Sequence, residues 1–321
     1  MPKRWRVPKD RDQADWKSVA EARAIILGVV TRLPSEQRRL LDALGYVLDE
    51  DVLSPVDLPP WDNSAMDGFA VLAEELRGAA ENTPRSLRVI EDVPAGGQPT
   101  LPLRPGEATR VMTGAPVPKG ADSVVRVEHT DGGHAIGTGN AQVKILSEAD
   151  AGRNIRRRGE DVRHGDRVLR AGTPLRAAEL GMAASLGRSH LAVIRRPRVA
   201  ILASGDELVD VSEFTEVLAG RRIVSSNSYA LAAQLLESGM EPVLLGIARD
   251  DPDELRRHLQ KAKGCDAVIS SAGVSVGEHD HLRDVVRSLD TRIAFWRVRM
   301  RPGSPFVFGQ IGALGGIPWF G

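Results

Sequence analysis

The segment at residues 270–281, SSAGVSVGEHDH, combines small residues with two carboxylates. It follows an apolar run at residues 267–269 and precedes a helical pattern that begins at Leu282. Glycine and serine let a ligand approach the backbone, and the free amides at the start of a helix favour an anion. Glu278 and Asp280 would repel an anion, but their oxygens suit a divalent cation bound beside it. The segment therefore predicts a phosphorylated or nucleotide-like ligand that binds together with Mg²⁺.

Alternating strand and helix patterns surround this segment. Apolar runs typical of strands lie at residues 199–202, 243–247 and 267–269, with helical patterns at 227–236 and 252–262 between them. This alternation predicts an α/β domain with a mostly parallel sheet covered by helices. Ligands of such sheets bind at the carboxyl ends of the strands. We therefore expect the small-residue segment to lie at the edge of the sheet where the carboxyl ends of the strands meet.

Acidic residues follow three of the predicted strands at this edge. Asp206 and Glu207 follow the first strand, Asp250 follows the second, and Glu278 and Asp280 follow the third. Carboxylates that are crowded together repel one another unless a cation or a hydrogen bond compensates. The cluster therefore favours a cation site.

Helix capping is the alternative interpretation of the individual acidic residues. Asp251 is followed by proline and, three residues later, by Glu254, which is the pattern of an N-cap residue. A cap or turn role is also open for Asp206, Glu207, Asp250 and Asp280. The cluster supports a cation site more strongly than any single member does.

The N-terminal part of the chain has a different organisation. Residues 15–47 show two helical faces, one with Val19, Ala22, Ile25 and Ile26, the other with Leu40, Leu41 and Leu44. A helical pattern resumes at residues 177–186, and residues 48–157 contain short apolar runs broken by proline and glycine. We therefore expect a helical linker domain from residues 1–47 and 158–190, an inserted β-rich domain at 48–157, and an α/β domain at 191–321.

Two loops of the β-rich region carry polar groups at close spacing. Residues 59–71, PPWDNSAMDGFAV, suit a turn held by side-chain hydrogen bonds. Residues 112–122 follow a predicted strand and offer Thr113, Gly114 and Lys119 to a phosphate. Taken alone, each segment is also compatible with an ordinary turn or a generic proline- and glycine-containing loop.

The composition excludes several classes of protein. The chain has 321 residues, 42% of them hydrophobic and 4% aromatic, with a formal net charge of +0. Nucleic-acid binding is not expected, because there is no basic excess and there are few aromatic stacking platforms. The sequence shows no signal-peptide pattern and no apolar run long enough to span a membrane, so we expect a cytoplasmic protein without membrane partners. Cys265 is the only cysteine, and its apolar surroundings predict a packed thiol.

Six segments together resemble one known family. They are PPWDNSAMDGFAV at 59–71, MTGAP at 112–116, NIRRRGED at 154–161, SGDEL at 204–208, SNSY at 226–229, and residues 270–280. Their types and order resemble the MoeA family, the molybdopterin molybdenumtransferases, to which the gephyrin E domain is related. The resemblance covers nearly the whole chain. It implies an α/β multidomain, MoeA-like fold.

The resemblance also implies an activity and a site. Family members insert molybdate into adenylylated molybdopterin in a Mg²⁺-dependent reaction that releases AMP. The matching functional positions are Asp62, Thr113, Asp161, Glu207, Asp250 and Asp280, with Glu207, Asp250 and Asp280 as expected Mg²⁺ ligands. The expected substrate-binding positions are Ser64, Gly114, Ser204, Gly205, Asp206, Ser271, Gly273, Ser275, Gly277, Glu278, Arg297, Arg301, Pro302, Ser304 and Pro305.

The family also implies partners. Its members form a homodimer in which the inserted β domain of one subunit faces the α/β domain of the other, so Asp62 and Thr113 would complete the neighbour's site. The upstream molybdopterin adenylyltransferase is a further expected partner. A degenerate paralogue that binds molybdopterin without inserting the metal, and a gephyrin-like scaffold, are the alternatives.

The chain departs from the family pattern near its end. At residues 296–305 a strand period of two would place Arg297, Arg299 and Arg301 on one face, as a cationic row for molybdate. A charged edge strand that discourages aggregation is the alternative. The family has lysine where this chain has Arg297, Arg301 and Ser304, and glycine where it has Ala272. In the family, the position of Gly321 is followed by a Leu-Pro-Gly-Asn-Pro loop and a small C-terminal β domain; the sequence leaves open both a naturally short chain and a continuation beyond these 321 residues.

Overall fold

The computed structural model describes residues 16–133, 141–271 and 281–321. The chain divides into two compact units. The first unit contains Met1–Asp49, Pro174–Arg176 and His190–Gly321. The second unit contains Glu50–Thr173 and Ala177–Ser189.

Strands outnumber helices in the described part of the chain. The helices are α1 (Val19–Leu27), α2 (Ala177–Ser185), α3 (Phe214–Leu218), α4 (Ser226–Glu237), α5 (Pro252–Gln260) and α6 (His281–Ser288). The first eleven strands are β1 (Ser35–Arg39), β2 (Val47–Leu48), β3 (Val52–Leu53), β4 (Asn63–Ser64), β5 (Gly68–Val71), β6 (Arg85–Val93), β7 (Glu107–Val111), β8 (Ser123–Arg126), β9 (Gln142–Ile145), β10 (Ile155–Arg156) and β11 (Arg167–Leu169). The later strands are β12 (His190–Ile194), β13 (Arg198–Ser204), β14 (Leu208–Val209), β15 (Ile223–Val224), β16 (Glu241–Ala248), β17 (Ala267–Ser270), β18 (Thr291–Arg297), β19 (Pro305–Ile311) and β20 (Ile317–Phe320).

The first unit is built on a six-stranded sheet in the order β16-β13-β17-β20-β19-β18. The pairs from β16 to β20 are parallel, whereas β19 pairs antiparallel with both β20 and β18. The strand and helix patterns after Pro197 are therefore confirmed for β13, α4, β16, α5 and β17. The antiparallel end makes the sheet mixed.

Apolar residues cover both faces of this sheet. On one face, Leu202 and Val268 pack in a core with Leu255 and Leu259 of α5 and with residues of α6. On the other face, Val199 and Ile201 share a cluster with α4, and Phe308 shares one with α1. Strands buried on both faces read as continuous apolar runs, which explains why β13 was evident in the sequence.

The helix predicted at Leu40, Leu41 and Leu44 is wrong. The structure has β1 immediately before this segment and only a short 3₁₀ turn at Leu41–Ala43, and Leu41 is 81% exposed. The polar sequence of β1 becomes a strand because it pairs with β12, about 150 residues later in the chain. Such a distant pairing overrides local helix propensity. The helical pattern of residues 19–26 is confirmed by α1. This helix starts where it does because Ser18 and Glu21 form a capping box.

The second unit contains a five-stranded sheet in the order β8-β5-β7-β6-β9. Phe69, Val71 and Val125 lie in its main core. An ion cluster forms around the buried Asp150 in this unit. The fully buried carboxylate of Asp150 accepts hydrogen bonds from Arg126 Nη2 at 2.9 Å and Arg126 Nε at 3.2 Å, and lies 2.9 Å from His129 Nδ1. The cluster joins β8 to the turn that precedes β10.

Two further expectations concern the whole chain. Within the described ranges, no helix has the length and apolar character needed to cross a membrane. The thiol of Cys265 is buried in the core of the first unit, and burial raises its pKa. The prediction of a packed thiol is confirmed.

Candidate functional site

The carboxyl ends of β16, β13 and β17 meet at one edge of the sheet in the first unit. Ser204, the last residue of β13, is buried. The N–H of Gly205 donates to the carbonyl of Ala248 at 3.1 Å, and the N–H of Ser271 donates to the carbonyl of Leu202 at 3.1 Å. The loops that leave these strands therefore start from adjacent positions.

Three of the predicted acidic residues lie at this edge. The N–H of Asp250 lies 3.4 Å from Asp206 Oδ1, so the loops after β13 and β16 are joined. Gly205 has a φ of +147°, and a Cβ atom at this position would lie 2.5 Å from Glu207 Oε2. The Glu207 carboxylate thus occupies the space that a side chain at residue 205 would fill. Asp206, Glu207 and Asp250 are all exposed.

Asp251, next to this group, has the role that its sequence predicts. Its side chain accepts a hydrogen bond from the N–H of Glu254 at 2.8 Å and caps α5, with Pro252 at the first helical position. Asp250 and Asp251 therefore differ in their hydrogen bonds although they are neighbours. Only the second is committed to the helix.

The metal site is not complete within the part of the chain that the structure describes. In that part, no group of three His, Cys, Asp or Glu side chains could hold a metal ion. The available donors are carboxylates, which suit Mg²⁺. Asp280, the third expected ligand, lies outside the described residues, as do Gly273, Ser275, Gly277 and Glu278. A magnesium site stays a prediction.

The predicted row of three arginines on one strand face is wrong. β18 ends at Arg297, and residues 298–304 form the connection to β19. The Arg297 guanidinium lies 5.1 Å from the Trp16 ring, whereas Arg299 Nη2 lies 3.5 Å from a Glu21 carboxylate oxygen. The regular alternation stops because the chain must turn back toward Pro305. Arg301, Pro302 and Ser304 lie in this connection rather than in a strand.

A second polar site lies within the second unit. There β4 pairs with β10, and the backbone at Ser64 pairs with the loop after β7. The N–H of Ser64 donates to Ala115 at 3.0 Å, and the N–H of Gly114 donates to the carbonyl of Ser64 at 2.8 Å. Three of the segments that carry the family resemblance, at 59–71, 112–116 and 154–161, are therefore in contact.

Arginine residues hold two of the predicted functional carboxylates in this site. Asp62 accepts from the N–H of Arg158 at 2.8 Å and from Arg157 Nη1 at 2.7 Å. These contacts, the backbone N–H first, hold the pKa of Asp62 below its usual range. Asp161 accepts from Arg156. Both carboxylates are oriented by the segment at 154–161.

Thr113 is oriented by an acidic residue that the sequence placed in a turn. Its N–H and its hydroxyl both donate to Asp67 Oδ1 at 2.7 Å, and these bonds lower the pKa of Asp67. Ser64 is fully buried, and its hydroxyl bonds to the backbone of Met66. Ser64 therefore shapes the turn, and its contact with substrate stays a prediction.

Sequence reasoning did not assign Asp67 or Arg157 to the site. Asp67 lies in the DNSAMDG segment and Arg157 in an arginine run, so both were visible as residue types. Their partners Thr113 and Asp62 are 46 and 95 residues away in the chain. The sequence contains no local signal for contacts over such distances.

The two polar sites suit different parts of a reaction. The edge of the first unit offers the exposed carboxylates of Asp206, Glu207 and Asp250. The site of the second unit offers the Thr113 loop together with the carboxylates of Asp62 and Asp161, which accept hydrogen bonds from arginines. Both arrangements are compatible with a phosphorylated ligand and a divalent cation.

Comparisons with known proteins assign both parts of the chain. Residues 17–187 match the MoeA N-terminal region (domain I and II), and residues 200–321 match a probable molybdopterin binding domain. Two curated relatives are similar over most of the chain. The molybdopterin molybdenumtransferase of Nostoc sp. (strain PCC 7120) is 41% identical over 90% of this chain and 65% of its own length. Molybdopterin molybdenumtransferase 2 of Mycobacterium tuberculosis is 40% identical over 92% of this chain and 72% of its own length.

A solved structure has the same fold. The molybdopterin biosynthesis moeA protein from Pyrococcus horikoshii OT3 superimposes with a TM-score of 0.77 at 31% identity, over 95% of this chain and 73% of that protein. The chain thus spans about two thirds to three quarters of the length of these relatives. The match of the N-terminal region alone covers more than half of the sequence, and the fold agrees with it. This chain belongs to the MoeA family.

Proposed function

We propose that this chain acts in molybdenum cofactor biosynthesis as a molybdopterin molybdenumtransferase. Its substrates are molybdate and adenylylated molybdopterin, and AMP is released. The convergence of Asp206, Glu207 and Asp250 at the carboxyl edge of a mostly parallel sheet carries the proposal, because this edge is where such sheets bind phosphorylated ligands. The names of the curated relatives support it.

The residues of the two sites have separate roles in this proposal. Glu207 and Asp250, with Asp280, hold Mg²⁺, which when bound neutralises charge on a pyrophosphate. Ser204, Gly205 and Ser271 present backbone and small side chains to the substrate. Thr113 and Gly114 bind its phosphates. Asp62 and Asp161 orient the reacting groups, because Arg157 and Arg156 fix their carboxylates.

The cationic connection after β18 is proposed to bind molybdate. Arg301, which is exposed, and Arg297 supply charge, while Pro302, Ser304 and Pro305 shape the connection. A guanidinium fork binds a tetrahedral oxyanion through two parallel donors, unlike the single ammonium of lysine. The substitution of arginine for two of the family's lysines therefore changes the geometry of the pocket, and charge is kept at only two of the three lysine positions because the third is Ser304.

The domain assignment follows from this function. We propose that residues 191–321 form the molybdopterin-binding domain, that residues 48–157 form an inserted domain, and that residues 1–47 and 158–190 link them. The match of residues 200–321 to a probable molybdopterin binding domain supports the first assignment. We also propose a cytoplasmic location and the molybdopterin adenylyltransferase as an upstream partner.

The transferase activity is tested by measuring its two products, AMP and active cofactor, independently. Purified protein is mixed with adenylylated molybdopterin, molybdate and Mg²⁺, and AMP and active cofactor are measured independently. We expect both to appear in equal amounts, and AMP release to stop when Mg²⁺ is chelated. AMP without active cofactor would identify the degenerate paralogue. The absence of both AMP and active cofactor would support the scaffold alternative. No feature of the described residues supports that alternative.

The proposed homodimer is tested by complementation between subunits. Asp62→Ala inactivates the site contributed by the second unit, and Asp250→Ala inactivates the edge of the first unit. If two subunits share each site, random mixing of the two inactive variants makes about half of the dimers heterodimers. Each heterodimer then has one intact site of two, so the mixture is expected to recover about a quarter of the native activity. Light scattering provides the control for dimer formation. A mixture that stays inactive although it forms heterodimers would contradict the shared site.

A further inference from the structure

The loop at residues 112–117 of the second unit donates all of its backbone N–H groups to oxygens of the protein. The N–H of Thr113 donates to Asp67 Oδ1 at 2.7 Å, and the N–H of Gly114 donates to the carbonyl of Ser64 at 2.8 Å. Pro116 has no N–H. At 2.9 to 3.3 Å from backbone carbonyls lie the N–H groups of Met112, Ala115 and Val117. Loops that bind a phosphate through their backbone do so with free N–H groups, so this loop has none to offer.

The single proton of the Thr113 hydroxyl is also committed. Thr113 Oγ1 lies 2.7 Å from Asp67 Oδ1. The bonds from the Thr113 N–H and hydroxyl lower the pKa of Asp67 below its ordinary value, so at neutral pH Asp67 is a carboxylate that can only accept. The hydroxyl is therefore the donor in this pair. The lone pairs that remain on Thr113 Oγ1 can accept a hydrogen bond but cannot donate one.

The exposed part of this loop is consequently a surface of acceptors. Thr113 and Gly114 are exposed, and within the described ranges no group donates to their carbonyls or to Asp67 Oδ2. A Cβ atom at Gly114 would meet no atom within 4 Å, so the loop faces open space. Arg110, which acts on Asp67 through its charge, is paired with Asp92 at 3.2 Å. Acceptor oxygens beside a carboxylate attract a hydrogen-bond donor or a hydrated cation and repel a bare phosphate.

We propose that Thr113 reaches the phosphates of the substrate as a hydrogen-bond acceptor, through the hydration shell of the Mg²⁺ that they carry, and that Asp67 is the positioning residue that fixes this polarity. A magnesium ion bound to phosphates usually keeps several of its waters, and these waters are donors. Thr113 Oγ1 and the carbonyl of Gly114 accept from them. The inference rests on the proposed function and deepens it, because that function supplies the phosphates. It makes the second unit selective for the Mg²⁺-loaded form of the substrate.

Pyrophosphate binding, measured by isothermal titration calorimetry, tests this polarity without turnover. Pyrophosphate is titrated into the protein once with Mg²⁺ and once with EDTA, and Mg²⁺ is titrated alone. Thr113→Val removes the hydroxyl and keeps the shape of the side chain. It is expected to weaken binding of the Mg²⁺-loaded form about ten-fold and to change binding of the metal-free form less than about two-fold. Thr113→Ser keeps the hydroxyl and is expected to bind both forms as the native protein does.

Asp67→Ala tests the positioning role. Without this carboxylate, the N–H and the hydroxyl of Thr113 become free donors, so the ratio of the two affinities is expected to shift about ten-fold toward metal-free pyrophosphate. A residue that only stabilised the loop would lower both affinities together and leave their ratio unchanged. Asp67→Asn retains an oxygen that accepts both bonds, and it is expected to keep the native ratio within about three-fold. Adding Asp67→Ala to Thr113→Val is expected to weaken the Mg²⁺-loaded form no further, because both changes act through one hydroxyl.

Thr100→Val is the matched control. The N–H and the hydroxyl of Thr100 donate to Glu91 Oε1 at 2.9 and 2.7 Å, so the same pair of bonds occurs in the same unit away from the proposed site. This variant is expected to lower the melting temperature about as much as Thr113→Val and to leave both pyrophosphate affinities unchanged.

Two results would overturn the proposal. Equal weakening of both forms of pyrophosphate by Thr113→Val would show that the hydroxyl donates to phosphate directly, and an effect on neither form would place the phosphates elsewhere. The transferase assay gives an independent answer on the proposed function. A protein that releases no AMP but shows the expected change of ratio would contradict the proposed function and leave the polarity of Thr113 intact.

Discussion

Asp250→Ala is expected to reduce Mg²⁺-dependent AMP release by a hundred- to a thousand-fold or more. The Asp250 carboxylate is exposed at the sheet edge, where its N–H lies 3.4 Å from Asp206 Oδ1. If it is a cation ligand, its loss removes roughly 3 to 4 kcal/mol of transition-state stabilisation. Single-turnover AMP release at saturating substrate measures the effect. Asp280→Ala is expected to have a similar effect, because the family resemblance assigns it the same role.

Asp251→Ala is the control for this experiment. Asp251 caps α5 through the N–H of Glu254, so its replacement is expected to cost about 1 kcal/mol of stability and to leave the rate almost unchanged. We therefore expect Asp250→Ala to lower the rate of AMP release and Asp251→Ala to lower the stability of the fold. If Asp250→Ala lowers only the melting temperature and keeps its AMP release, Asp250 has a structural role and the cation site must be sought among other residues.

Asp150→Ala is expected to destabilise the second unit by about 2 kcal/mol. Asp150 is fully buried, and its carboxylate accepts several hydrogen bonds from Arg126 and lies 2.9 Å from His129 Nδ1. Its removal leaves the donors of Arg126 and a partly buried backbone N–H without their acceptor, and water reaches the Arg126 side chain, which is 38% exposed, so the cost is below that of a fully buried pair. Urea denaturation, monitored by a signal from the second unit, measures the change in its free energy of unfolding. Asp92→Ala is the matched control, because its pair with Arg110 is exposed and is worth at most about 1 kcal/mol.

The same carboxylate makes the stability of this unit sensitive to acid. Burial alone would raise the pKa of Asp150, but the hydrogen bonds from Arg126 outweigh it and lower the pKa. Because the folded state favours the ionised form, the stabilisation is present above the ordinary pKa of an aspartic acid and is lost as the pH falls through the lowered value. Denaturation curves of the native protein and of Asp150→Asn should therefore converge toward acid pH. Curves that stay parallel would show that Asp150 does not titrate with folding.

The sequence determined the elements that have strong local signals. β13, β16 and β17 are apolar runs bounded by glycine and polar residues, and α5 starts with an N-cap aspartate and a proline. These features depend on residues within a few positions of one another, so they are evident in the linear chain. The family segments likewise identify the family from the sequence alone. The meeting of Asp206, Glu207 and Asp250 at one edge followed from the parallel arrangement that these elements imply.

Only the tertiary structure decided which distant residues are partners. β1 is a strand because β12 supplies its hydrogen bonds, and Leu41 and Leu44 lie in and beside a turn rather than on a helix. The arginine row ends at Arg297 because the chain turns back to form β19. Asp62 and Thr113 are fixed by Arg157 and Asp67, which are far away in the chain. Each of these outcomes depends on hydrogen bonds formed across long loops, and local residue patterns carry no information about such pairings.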